Sequence, residues 1–127
     1  MGLPHGRCDI NTDGNLIVVK ACGSFNVEGV KLFVSAITQT ILSLKGQPFC
    51  LLMDDTLVEG GTSEAYAALN EYNEWLNNQP LLAKAFIINS KVKKGIILSN
   101  SPAIHTQNIA FFPAKSAALE WLATTHG

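Results

Sequence analysis

Arginine is almost missing from this 127-residue chain, where Arg7 is the single example. Nucleic-acid grooves and bidentate phosphate clamps both recruit the guanidinium fork, so its scarcity argues against nucleic-acid binding. Charge as a whole is thin: 15% of residues are charged and 47% are hydrophobic, with a net charge of −1. A surface this poor in charge keeps apolar area that a protein partner or a second copy, as in a homodimer, would cover. Long apolar runs are lacking too. None approaches the roughly 20 residues of a membrane span, and the opening MGLPHGRCD has no apolar stretch of a signal peptide, so a cytoplasmic chain with no integral membrane segment is expected.

Cysteine occurs only at positions 8, 22 and 50, an odd number without CxxC spacing, and reads as small buried hydrophobes in a reducing compartment. His5, His105 and His126 are scattered. Neither set has ligand spacing, so no metal or other cofactor is expected. Residues 60–63, GGTS, lack the lysine and the spacing of a phosphate-cradling loop. No nucleophile, base and orienting group can be assembled, and no enzyme activity is expected.

Basic residues are also absent between Lys45 and Lys84, a stretch that carries six of the ten acids: Asp54, Asp55, Glu59, Glu64, Glu71 and Glu74. Lys91, Lys93 and Lys94 form the one basic cluster, read as a solvated helix end, with a contact patch for an acidic partner or membrane surface as the alternative.

What is present is periodic. RCDIN alternates, TDGN supplies an Asp-Gly turn, and LIVVKAC returns as a strand, making a hairpin. Asn26 suits an N-cap, and residues 27–45 place Val30, Phe33, Val34, Ile37, Ile41 and Leu44 on one helical face up to Gly46. Residues 48–54, PFCLLMD, read as a central strand followed by an acidic loop. A second helix over 63–78 puts Ala65, Leu69, Tyr72, Trp75 and Leu76 inward, with Asn70, Glu71, Asn73 and Glu74 outward. Strands at 83–89 and 108–112, a short helix at 91–99 capped by Ser90, and a last helix at 114–123 complete the order. One domain, residues 1–127, of the α/β class follows: a mostly parallel sheet with an antiparallel N-terminal hairpin strand and helices packed on it.

This order, with GSFN at 23–26, LLMDD at 51–55 and IAFFPAKSAALEWL at 109–122, resembles the SpoIIAA-like fold of STAS domains, a group including anti-sigma-factor antagonists and the cytoplasmic tails of sulfate transporters. Within that group it is most similar to small stand-alone bacterial proteins, mostly of unknown function. The likeness covers nearly the whole chain and rests on order and spacing. It implies a regulatory, protein-binding role. In antagonists, an Asp-Ser-Ser-Gly motif after the third strand carries a serine that a partner kinase phosphorylates; Thr62 or Ser63 occupies that place here, but GGTSEA lacks the flanking aspartate and glycine.

The residues themselves leave two readings of the hydroxyl pair. Phosphate there would meet the positive end of a helix dipole, whereas a side-chain oxygen that only caps the helix is worth about 1 kcal/mol. Asp54 and Asp55 stand where open α/β sheets place chemistry or Mg²⁺, but an acidic loop is usually just solvated, and that reading is preferred. The expected function is a non-catalytic, regulatory interaction domain that presents Asp54, Asp55, Glu59 and Glu64 to a protein partner. The alternative is a small apolar-ligand or lipid carrier, by a likeness of the fold to lipid-transfer domains, with a cavity near Phe33, Ile37, Phe86 or Phe111.

Overall fold

The computed structural model describes residues 2–125; His126 lies outside them. Strands β1 (Arg7–Asp13) and β2 (Leu16–Phe25) pair antiparallel across a two-residue turn in which Gly14 takes a φ of 61°, a left-handed conformation that glycine adopts without steric penalty. Asn26 then starts α1 (Val27–Ser43): its side-chain oxygen accepts from Gly29 N at 2.9 Å and from His5 N at 2.8 Å, and its amide donates to Leu3 O at 2.8 Å. One asparagine therefore caps the helix and ties down the N-terminal segment.

Next come β3 (Phe49–Gly61), α2 (Ser63–Leu76), β4 (Leu81–Ile87), α3 (Lys91–Asn100), a 3₁₀ turn (Pro102–Thr106), β5 (Ile109–Phe112) and α4 (Lys115–Ala123). The five strands lie in the order β1-β2-β3-β4-β5, with every pair after the first parallel, as the alternation of elements requires. This is the α/β architecture expected of the SpoIIAA-like fold.

Alternation along β3 and β4 divides the core. Phe49, Leu51 and Met53 with Phe86 and Ile88 face α1, α2 and α3, while Cys50, Leu52, Ala83, Ala85 and Ile87 face Ala118 and Leu122 of α4. The sheet is thus covered on both sides, which explains its unbroken apolar runs.

Two expectations need correction. Residues 55–61, read as a loop, continue β3, because β2 is long enough to pair with them: Cys22 with Leu57, Gly23 with Val58 and Phe25 with Gly61. Irregularities after Lys20 and Gly23 absorb the register, and Gly60 sits at a φ of 131°. Asn73, assigned to the outer stripe of α2, is 9% exposed and faces inward.

Candidate functional site

Between the sheet and the layer of α1, α2 and α3 lies a cavity of about 160 Å³. Three elements build its apolar walls. Val30, Phe33 and Ile37 of α1 form one side, Ala65, Leu69 and Tyr72 of α2 another, and Ile96 and Ile97 of α3 a third. Phe33, Ile37 and Phe86 line it as anticipated; Phe111 stands behind, stacked on Phe86 with ring centroids 4.9 Å apart.

Into this apolar space project two charged side chains. Strand alternation places Lys84 on the same face as Phe86, opposite Leu51 in register, and the whole residue is only 3% exposed. Its ammonium donates to Asn73 Oδ1 at 2.5 Å and lies 5.8 Å from the centre of the Phe86 ring. Burial disfavours the charged amine and brings its pKa down to about 7, an effect that the negative charge of Asp55 partly offsets. Asn73 is itself held by α2 through its amide to Leu69 O at 3.1 Å and receives Gln107 Nε2 at 3.5 Å. Gln107 Oε1 is buried without a hydrogen-bond partner among the described residues.

Asp55 follows Met53 along the inner face of β3 and lines the same cavity. Desolvation, then repulsion by Asp54, pushes its carboxyl up to about 6; Lys84 and Lys93 pull the other way. The Tyr72 hydroxyl, bonded to Thr38 Oγ1 at 2.9 Å, is raised to about 12 by burial. The Cys8 thiol is likewise pushed up to about 12 by burial, then by Asp55 and Asp9, and is a poor nucleophile.

The other sequence candidates are distributed around the rim. Asp54 turns away: its Oδ1 accepts from Thr56 N at 3.1 Å and Thr56 Oγ1 at 2.7 Å. Glu59 is exposed at the mouth, and Glu64 is exposed on the first turn of α2. The structure therefore brings Asp55 and Glu59 to the cavity and leaves Asp54 and Glu64 outside its lining. Thr62 caps α2, its hydroxyl oxygen accepting from Ala65 N at 3.1 Å, and Ser63 follows as the first helical residue, exposed. Lys93 is more than a solvated helix end: its amine crosses to the carbonyls of Thr56 at 2.9 Å and Asp55 at 3.4 Å. Lys94 lies 5.1 Å over the Phe111 ring. Among the described residues no three His, Cys, Asp or Glu side chains gather as a metal site, and no helix is long and apolar enough to cross a membrane.

Sequence reasoning missed Lys84 and Asn73. A signal for the lysine was present, since AKAF places a charge at an inward position of a strand too apolar to have a wet face.

No protein-family model matches this chain, and no curated protein matches it in sequence. Solved structures do. An uncharacterised protein of the DUF3478 family with a SpoIIAA-like fold, from Shewanella loihica PV-4, superposes with a TM-score of 0.70 at 17% identity over 96% of this chain and 97% of its own. An anti-sigma factor antagonist from Mycobacterium paratuberculosis gives 0.63 at 15% identity over 93% and 94%. The anti-sigma factor antagonist SpoIIAA in its unphosphorylated form gives 0.62 at 8% identity over 92% and 98%. At these identities the likeness establishes the fold.

Proposed function

We propose that this chain, a SpoIIAA-like domain by its fold, is a non-catalytic regulatory domain that binds a small, largely apolar ligand between its sheet and helices. The cavity carries the reading. Its 160 Å³ compares with engineered cavities of about 150 Å³ that take up benzene, and its walls are aromatic and aliphatic with few polar groups. That volume suits a single ring or a short chain and is too small for a two-chain lipid. Native mass spectrometry of the protein purified from its own host tests this. A non-covalent adduct that is lost on denaturation supports it, as does loss of that adduct in Leu69→Trp, where the indole would fill the space. Bare protein that also fails to take up added small apolar molecules would overturn it.

A second reading, docking of a protein partner, is favoured by the rim. Glu59, Thr62, Ser63 and Glu64 are exposed together beside Leu57, itself 51% exposed, and two neighbours in fold are anti-sigma factor antagonists. The same rim residues adjoin the cavity wall through Gly60, Gly61 and Ala65, so a bound ligand would bear on the docking surface. Thr62 is engaged in capping, which leaves Ser63 as the better candidate for phosphorylation. Peptide mapping of the native protein over residues 46–83 decides whether either hydroxyl carries phosphate, and size measurement in solution tests the homodimer. A reducing cytoplasm suits the three cysteine thiols.

A further inference from the structure

We propose that Lys84 anchors the carboxylate of a small monocarboxylic acid, whose apolar body, on the order of six to ten heavy atoms, occupies the cavity. The inference rests on the ligand-binding reading above and names the chemistry of its ligand.

Lys84 puts a charge on the face of the sheet that otherwise carries the apolar core. Lys84 lies in the middle of a central strand, flanked by Ala83 and Ala85 and facing a space walled by Phe33, Phe86 and Leu51. An ammonium offers three donors, and here one of them goes to Asn73. No carboxylate among the described residues forms an ion pair with it, so its charge is compensated within the protein only by a neutral amide and by the field of Asp55. Buried cations of this kind are strongly favoured by a contacting anion, which restores the solvation that folding removed.

The ligand's charge follows from the surroundings. A phosphate or sulfate would carry more negative charge than Lys84 can balance, since Lys93, the other lysine of the lining, is turned to the carbonyls of Asp55 and Thr56 and no arginine is there to form a fork. A carboxylate carries one charge, and Asp55 in the same cavity can donate to it once it takes up a proton, as paired carboxyls share a proton elsewhere. Asn73 is a positioning residue: its Oδ1 fixes the ammonium against the inner face of α2.

Binding on these terms depends on pH. The titratable groups facing the cavity are Lys84 on β4, Asp55 and Glu59 on β3, Lys93 on α3, and Tyr66 and Tyr72 on α2; α1 contributes none. Lowering the pH from about 8 to about 6 charges Lys84 and moves Asp55 toward its neutral form, and an acid whose own pKa is about 5 stays ionised over that interval. Both changes favour a bound carboxylate, which should enter with uptake of protons.

The test is calorimetric titration of the whole chain with hexanoate, hexan-1-ol and hexylamine at about pH 6 and about pH 8, in buffers of different ionisation enthalpy. We expect hexanoate to exceed hexan-1-ol by roughly tenfold in affinity at the lower pH, with proton uptake, and the advantage to vanish in Lys84→Met. Hexylamine binding tightest, or the acid showing no advantage over the alcohol, would overturn the carboxylate while leaving the cavity reading intact. Failure of all three to bind would defeat the cavity reading itself. Should Lys84→Met not fold, the pH profile and proton uptake of the unaltered protein still decide.

Discussion

Lys84 Nζ on β4 and Asn73 Oδ1 on α2 meet at 2.5 Å, joining a central strand to the helix above it through a polar bond at the edge of an apolar cavity. The pair faces the cavity, and a buried ammonium is a poor way to gain stability. Burying an ammonium weakens a fold unless its donors are matched, and replacing such a group with an apolar one is often neutral or stabilising.

The pH dependence of stability follows. Lys84 has a folded pKa of about 7 against 10.5, so between those values the unfolded chain holds a proton that the folded chain does not. Stability should therefore rise with pH across that window, by at most about 1.4 kcal/mol per pH unit. Asp55 behaves oppositely: raised from 3.8 to about 6, it binds its proton more tightly in the folded chain, and stability should fall as pH rises from about 4 to 6. Urea unfolding against pH should show both slopes, with the alkaline one missing in Lys84→Met. Its persistence there would assign it to another group.

Gly95 lies within α3, and a Cβ at that position would meet nothing within 4 Å. No residue of α3 is buried, so this helix closes the cavity with the least packing of the four. Gly95→Ala should strengthen it by up to about 1 kcal/mol and slow both hydrogen exchange in residues 91–100 and ligand exchange. Unchanged exchange would show that α3 is not the element that opens.

Gly29 gives the contrary result, although it too is helical. A Cβ there would run into the backbone carbonyl of His5, which packs against the first turn of α1. Gly29→Ala should lose stability despite alanine's helical preference, and Asn26→Ala, which removes the cap and two ties to the N-terminal segment, should cost about 2 kcal/mol. Thermal unfolding of both variants checks this; a gain in Gly29→Ala would mean that the segment before β1 shifts freely.

Most of the fold was legible because its signals are local and periodic: the Asp-Gly turn before β2, the caps at Asn26, Thr62 and Ser90, and the apolar faces of α1 and α2. What was not legible depends on neighbours distant in sequence. Residues 55–61 look like an acidic loop until the length of β2 gives them a pairing edge. Asn73 looks like one more polar residue of an exposed stripe until Lys84 and Gln107 come to it from other elements. Asp55 reads as half of an acidic pair, yet the alternation of β3 sends it inward while the side chain of Asp54 bonds to Thr56.

The central claim, that the cavity takes a small ligand, is tested most directly by methyl NMR of the whole chain titrated with hexanoate. We expect saturable shifts at Ile37, Leu51, Met53, Leu69 and Ile97, which line the cavity, with Leu52 and Ile87 on the α4 face of the sheet left in place. Shifts that do not saturate, or that fall equally on both faces of the sheet, would contradict the account.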